Sequence, residues 1–453
     1  EMIEEGEIED PVAPVYFTSM RVPVAPGVMY EMLFYSINKN NRKMLVGSYN
    51  CFYKDIEKWQ NIIKAPLSYL DLPEEAAVME IGKLQLKGIE VNAIESVELT
   101  AEWNQHACLN VKCLVEKEHV DSYASLGNQK EKVMLMHEDT RLFSGIVTAA
   151  SCKVEKGKAI LMLDVTDSTW QLDRKKKSRS FQDVSKTFQE VAEKIHSCIF
   201  HCENKVTGEL ILQYQETDWE FLKRLASKCN TMIYADMTSE HMALYFGVNG
   251  QKKAIKPELY DCIRERNLEK NTYACIFESP DFINIGDVVE LDGQKLVVDQ
   301  MQMNAKKAQL VGTYHAMPAE DCMYPVIYCP DMAGAALQGT VIESQKDKVK
   351  VHLAIDEGKE SADVYLFPFS AMQASSDGSG WYYMPEVGDC VKVCIPAWEE
   401  KGAFAVSAVS TYDGAADAQD MMGDTSVKYM RNPTGKQIQL TPGGIAADGG
   451  GQA

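Results

Sequence analysis

Apolar and polar residues alternate with the period of strands along most of this chain, and shift to a helical period only near its middle. Residues 1–80 open with the alternating stretches Val15-Tyr16-Phe17 and Tyr30-Glu31-Met32-Leu33-Phe34-Tyr35. Between Asp55 and Tyr69, Ile56, Trp59, Ile62 and Ile63 are spaced for one helical face, and Pro73 ends the region. Residues 81–166 read as short β runs carrying Val97, Leu99, Val111, Val133, Leu135, Leu161 and Leu163, broken at Gly127-Asn128 and Lys156-Gly157-Lys158. Such a pattern predicts a small antiparallel barrel or sandwich.

Residues 167–280 add helices. Val184, Phe188, Val191, Ala192 and Ile195 make an amphipathic stripe. Leu210 to Tyr214 predicts a strand, and Thr217-Asp218-Trp219-Glu220 is a capping-box sequence that should start the next helix. Phe221, Leu222, Leu225 and Ala226 are its buried face, and Met232 to Ala235 is the following strand. Residues 281–330 return to β, with Asp292-Gly293 as a hairpin signal. Five short alternating runs in residues 335–410 suit a Greek-key barrel of the OB type. Within them, Pro385-Glu386-Val387-Gly388-Asp389 should reverse the chain, Gly388 supplying a backbone angle that other residues resist. Residues 411–426 are small, acidic and polar, a linker, and Val427-Lys428-Tyr429 and Ile438-Gln439-Leu440 then alternate again.

Composition adds two restrictions. Hydrophobic residues make up 45% and charged residues 25%, which excludes collagen-like, coiled-coil and fully disordered classes. The net charge of −20 opposes nucleic acid and anionic membranes unless bases are gathered in one place. In residues 339–396 five Lys and no Arg face nine Asp and Glu, so the barrel lacks the positive track that single strands need. The dense basic run is Arg174-Lys175-Lys176-Lys177 with Arg179, read as a solvated loop. The first ten residues carry six acids and no base, unlike a signal peptide, and no apolar run approaches the ~18 residues of a membrane span. The expectation is a cytoplasmic protein with reduced thiols.

Candidate chemistry is thin. His196, Cys198, His201 and Cys202 could hold a metal, but four donors within seven residues of one helix converge poorly on a tetrahedron. Cys390 and Cys394 read as small core residues. No GxSxG, HExxH or P-loop occurs, and carboxylate pairs such as Glu216/Asp218 are expected by chance among 66 acids. No catalytic residue, metal or cofactor is predicted. A cell-envelope-degrading enzyme is the disfavoured reading.

The motifs and their order resemble a known family. Leu142-Phe143-Ser144-Gly145-Ile146-Val147 is followed by Asp167-Ser168-Thr169-Trp170-Gln171-Leu172-Asp173 and Arg179-Ser180-Phe181-Gln182. Gln213-Tyr214-Gln215-Glu216-Thr217-Asp218-Trp219-Glu220 continues to Ala226, and Gly380-Trp381-Tyr382-Tyr383-Met384 precedes the Pro385 turn. Thr434-Gly435-Lys436-Gln437-Ile438-Gln439-Leu440 completes the set. Together they resemble the VgrG family and the related late-control D hubs of contractile tails, over about residues 85–445.

The resemblance implies a mainly β fold with α+β parts. Residues 1–80 would be an N-terminal extension of unknown role. A hub of two β-barrel-like domains, 81–166 and 281–330, would carry an α+β insert at 167–280, followed by an OB-fold domain at 335–410. After the linker 411–426, residues 427–453 would begin a short β-helix stem and tail. It further implies a homotrimer with a pseudo-sixfold ring, Ile438 and Leu440 turned inward in the stem and strand edges paired between copies. Implied partners are a hexameric inner-tube protein, baseplate proteins, a tip-sharpening PAAR-like protein and effector cargo, with no nucleic acid and no stable membrane insertion before firing. The implied work is structural. It would be done in a type VI-like system, an R-type bacteriocin or an extracellular injection particle, or in the baseplate of a contractile-tailed phage. The chain would be cytoplasmic during assembly and leave the cell on firing. Gln213, Tyr214, Thr217, Asp218, Trp219, Glu220, Pro385, Glu386, Gly388 and Asp389 carry the structural motifs.

Overall fold

The computed structural model describes residues 2–8, 15–24, 27–37, 44–52, 79, 81–126, 131–267, 272–306, 309–356, 364–377, 379–380, 382–410 and 422–449. It falls into two units, Glu1–Ala76 and Ala77–Ala453. In the first, β1 (Met2–Ile8), β2 (Val15–Val24), β3 (Gly27–Ile37) and β4 (Met44–Phe52) form an antiparallel meander in chain order. The helix predicted between Asp55 and Tyr69 lies outside the described residues.

The second unit begins with β5 (Leu84–Lys87), β6 (Ala93–Glu102), β7 (Cys108–Val115), the short α1 (Val120–Ala124), β8 (Lys132–His137), β9 (Thr140–Glu155) and β10 (Lys158–Asp167). The β9–β10 turn is two residues long, with Lys156 and Gly157 both at positive φ, the backbone a tight hairpin requires. Next come β11 (Lys177–Phe181), α2 (Phe188–Glu193), β12 (Cys198–Phe200), β13 (Ile211–Glu216), α3 (Asp218–Lys228), β14 (Ile233–Ala235) and β15 (Leu244–Phe246). The stripe predicted from Val184 is shortened because Thr187 caps α2 with a full capping box to Glu190, which leaves Val184 outside the helix.

Strands β16 (Asp261–Asn267), β17 (Thr272–Ser279), β18 (Val288–Leu291), β19 (Gln294–Lys306) and β20 (Gln309–Met317) follow. Asp292 and Gly293 form the β18–β19 turn, both at positive φ. The two β segments of the hub are one sheet of 11 strands, ordered β16-β17-β20-β19-β6-β7-β10-β9-β8-β5, with β18 on β19. The seam is the antiparallel pair β19–β6, running from Gln300↔Glu102 to Asn304↔Glu98. Strands β16 and β17 fall in sequence within 167–280, yet they pair into this sheet, because Thr272–Ser279 alternates as β20 does and lies beside it.

The barrel region holds β21 (Ala336–Gln345), β22 (Lys348–Leu353), β23 (Leu366–Pro368), β24 (Cys390–Cys394) and β25 (Phe404–Ser407), ordered β23-β22-β21-β24-β25. Phe369 bridges to Ala405, bringing the two outer strands together. Val391 and Val393 fill its core, while Cys390 and Cys394 lie half-buried on the other face of β24, not in the core as the sequence reading had them. Last come β26 (Lys428–Arg431), β27 (Gln437–Thr441) and β28 (Gly444–Asp448), an antiparallel meander. Here the sequence reading needs correction. Both edges of β27 are occupied within the chain, by β26 and β28, so this strand has no free edge to offer another copy.

Three cores result. The first lies under the hub sheet, around Leu109, Leu135, Phe143, Val298 and Tyr314. The second packs α2 and α3 on β12, β14 and β15 through Phe188, Phe221, Leu222, Leu225 and Phe246. The third fills the barrel with Val341, Val351, Leu353, Phe367 and Val393. Because strand side chains alternate between faces, β13 and its approach serve two cores: Ile211 enters the second, while Leu210 and Leu212 enter the third. Among the described residues no helix is long and apolar enough to cross a membrane.

Candidate functional site

The residues singled out around α3 assemble where β13 meets the barrel. Thr217 caps the helix: Glu220 N donates to Thr217 Oγ1 (3.1 Å) and Thr217 N donates to Glu220 Oε2 (2.8 Å). Thr217 Oγ1 itself donates to Asp173. Trp219 is buried and packs against His106, ring centroids 4.7 Å apart and planes tilted by 32°. Gln213 is fully buried. Its Nε2 donates to Asp218 Oδ1 (3.1 Å) and Glu216 O (3.0 Å), and its Oε1 accepts from Arg179 Nε (2.6 Å). Asp218 also pairs with Lys177 and Arg179. Tyr214 packs half-buried against the barrel core, and its carbonyl accepts from Cys329 Sγ (3.5 Å).

Sequence reasoning missed the centre of this network. Arg224, 1% exposed, lies on the apolar face of α3 and makes a bidentate pair with Glu216, both bonds 2.8 Å. Its Nη1 donates to Glu400 Oε1 (2.9 Å), and its Nη2 also donates to Leu212 O. Glu400 lies between β24 and β25, 176 residues further along the chain. Its Oε1 also accepts from Leu212 N (3.0 Å) and its Oε2 from Lys228 Nζ (3.1 Å), which in turn holds Glu209 (2.7 Å). Burial alone would raise the Glu400 carboxyl. The charges of Arg224 and Lys228 overcome this and hold it below the ordinary glutamate range. Burial would likewise lower Arg224, and Glu400 and Glu216 reverse that. The signal was available: an Arg between Phe221 and Leu225, within an otherwise apolar stripe, needs a buried partner.

A second tie joins the same two regions. Asp356 is 1% exposed and accepts from Ser180 N (2.8 Å) and Ser180 Oγ (2.5 Å), and Gln182 Nε2 donates to Val351 O (3.1 Å). Removing one member of a buried pair leaves an uncompensated charge and costs about 3–5 kcal/mol, so these contacts fix the barrel's position on α3 and β13. Chemically the site is closed: Glu216 and Asp218, flagged as a carboxylate pair, each have their own cation.

The remaining candidates lie elsewhere. In the barrel turn, Glu386 N donates to Asp389 Oδ2 (2.9 Å), Gly388 N to Val341 O (2.8 Å) and Ser344 Oγ to Pro385 O (2.5 Å). Gly388 has φ +98°, which a side chain would resist. The basic run is engaged within the chain: Arg174 stacks on Trp170, Lys176 lies 3.7 Å from Asp331, and Lys177 and Arg179 hold Asp218. The four His and Cys donors of 196–202 do not share a helix, because Cys198–Phe200 is strand β12. Cys198 faces the second core, where burial pushes its thiol up to about 12. Cys202 hydrogen-bonds Cys229, His201 stacks on Tyr245, and His196 Nδ1 meets Ser197 O. Among the described residues no group of His, Cys, Asp and Glu could hold a metal ion.

Ile438 and Leu440 lie on one face of the terminal meander, 46% and 48% exposed. Register places Met430 opposite Ile438 and Ile445 opposite Leu440 on that face, and Ile445 is 78% exposed.

Comparison with known proteins agrees with this architecture. Residues 105–259 match the family model of the phage tail baseplate hub. No curated protein sequence matches the chain. The fold is similar to the E. coli c3393 protein, described as a component of the type VI secretion system with structural similarity to the T4 bacteriophage tail proteins gp27 and gp5. The two share 13% identity and a TM-score of 0.52, over 71% of this chain and 99% of that one. Weaker likenesses are to a Francisella PdpA-VgrG complex (9% identity, TM-score 0.48, 88% of this chain and 94% of that one) and a Neisseria meningitidis MC58 tail protein (10%, 0.42, 53% and 98%). Residues 105–259 thus resemble a phage tail baseplate hub, within a mainly β fold of several antiparallel sheets similar to that of the c3393 protein.

Proposed function

We propose that this chain is the central hub and spike of a contractile injection machine and works as a homotrimer. The observation that carries the reading is the baseplate-hub match over residues 105–259, the stretch that contains β13, α3 and Arg224. The hub role is common to type VI-like systems, bacteriocins and phage tails, and the reading does not depend on which of these holds the chain. In it, the hub sheets of three copies make a ring that meets a hexameric inner tube, baseplate proteins surround the ring, and the OB-type barrels narrow the axis. The terminal meanders begin the stem by bringing their apolar faces together, burying Ile438 and Leu440, and a PAAR-like protein caps the tip. Effector cargo travels with the spike. The assembly forms in the cytoplasm and is expelled when the sheath contracts.

The work is mechanical. The buried Arg224–Glu400 clamp suits a part that must carry load from barrel to hub without swivelling. Size-exclusion chromatography with light scattering tests the proposal: three times the chain mass is expected, alone or on addition of the tube protein. A stable monomer with hydrolase activity against cell-wall polymer would refute it.

A further inference from the structure

The second core holds two thiols that meet, Cys202 and Cys229. The fold brings them together from opposite sides of that core. Cys202 lies just past β12, where His201 N donates to Phe246 O (2.8 Å) and continues the pairing with β15. Cys229 caps the C-terminal end of α3, its N–H donating to Ala226 O (2.9 Å). Gly247 stands beside both segments. A Cβ there would lie 3.3 Å from Cys202 Cβ and 3.0 Å from Thr231 Oγ1, two residues beyond Cys229. Its N–H donates to Met232 O (2.9 Å), so the end of β15 is tied to both cysteine-bearing segments.

The two thiols differ from the other cysteines of the cores. Burial pushes Cys113 and Cys198 up to about 12, and Cys275 and Cys329 up to about 11, which keeps them protonated and inert. Cys202 moves the other way. The hydrogen bond from Cys229, with the charge of Lys205 added, outweighs burial and holds its thiol below the ordinary range. Cys229 is raised by the same bond and by burial. Cys202 is half-buried and Cys229 is 9% exposed, so solvent reaches the pair from the Cys202 side.

A more acidic, more accessible thiol beside a second thiol that can displace what attaches to it makes a reversible redox pair. We propose that Cys202 and Cys229 are a modification site, two thiols in a reducing medium that form a disulfide with each other on meeting a small-molecule disulfide such as oxidised glutathione. The Cys202 thiolate attacks one sulfur of the reagent. The reagent's S–S bond breaks, and one glutathione leaves and takes up the proton that Cys202 gave to solvent. Cys229 then loses its proton to solvent and attacks the Cys202 sulfur, and the second glutathione leaves and is protonated in turn. Two protein thiols are oxidised, and one glutathione disulfide is reduced to two thiols. The new bond closes a loop over β13 and α3, the elements that carry Glu216 and Arg224. The inference does not depend on the hub reading.

The chain holds its own control. Cys262 and Cys275 lie diagonally on one face of the β16–β17 pair, Cys262 opposite Phe277 and Cys275 opposite Arg264, and they also hydrogen-bond. With Cys275 held up, that pair should react later. The test places the reduced, purified full chain, without denaturant, in glutathione buffers of rising disulfide fraction. Each sample is quenched with N-ethylmaleimide, digested and read by mass spectrometry. The Cys202–Cys229 disulfide is expected, ahead of any bond at Cys262 or Cys275. Under limiting N-ethylmaleimide, Cys202 should be alkylated at least about tenfold faster than Cys113 or Cys198. In Cys229→Ser the resolving thiol is gone, so glutathione should stay on Cys202; should that variant fail to fold, the two measurements on the parent decide. Cys202 and Cys229 remaining thiols throughout the series would overturn the proposal. So would a Cys262–Cys275 bond that forms first, or a Cys202 labelled no faster than Cys113.

Discussion

The clamp around Arg224 and the meander at residues 428–448 solve the same problem in opposite ways. At the clamp, every charge brought out of water finds its counter-charge inside the chain, from Glu216 and Glu400 to Lys228. In the meander the backbone is paired but the apolar face is not: Met430, Ile438, Leu440 and Ile445 remain exposed. A region that satisfies itself reports on folding. A region that stays unsatisfied reports on assembly, because exposed contiguous apolar surface marks an interaction site.

The sharpest way to break this contrast is Glu400→Ala. It should destabilise the chain by about 3–5 kcal/mol in urea unfolding, since Arg224 and Lys228 lose the buried counter-charge they share and keep only Glu216 and Glu209. A loss below about 1 kcal/mol would mean that water reaches the clamp and that the comparison fails. Thr217→Ala should cost about 1 kcal/mol by the same measurement, through the lost cap of α3.

Acid should act on the clamp and not on the meander. The Glu400 carboxyl is lower in the folded chain than its ordinary value of about 4.3, so its contribution is present above that pH and is lost as pH falls through the folded value. Stability of Glu400→Gln against pH should therefore be flatter than the parent's below that point. His315 behaves with the opposite sign. Its hydrogen bond to Asp299 raises it, so its contribution is full below about pH 6.5 and fades as pH rises through the raised value. His315→Gln should flatten the profile near neutrality, and an unchanged profile would remove that pair from the account. The smallest expected effect on unfolding comes from Ile438→Ser with Leu440→Ser, within about 0.5 kcal/mol as for other exposed positions. The same double variant should lower the trimer fraction in light scattering. A large loss of chain stability with assembly unchanged would reverse the roles assigned to the two regions.

Local signals were legible where one residue decides the outcome. Thr217 with Glu220 announces α3, Asp292-Gly293 announces the β18–β19 hairpin, and Val391 and Val393 announce a core face of β24. Long-range pairings were not legible. Nothing near Gln300 says that its strand will meet Glu102, and nothing near Glu400 says that its partner lies 176 residues earlier. The four His and Cys donors misled for a related reason: helical spacing was assumed where the chain makes strand β12, and strand geometry sends alternate side chains apart.

Strand β13 and the residue before it send Ile211 into one core and Leu210 and Leu212 into another. Neither core can melt while the other stays intact, because the first to loosen would pull its wall from its neighbour. Calorimetry should then give one shared heat-absorption peak for hub helix and barrel. Such a shared strand leaves no separate weak link between hub helix and barrel.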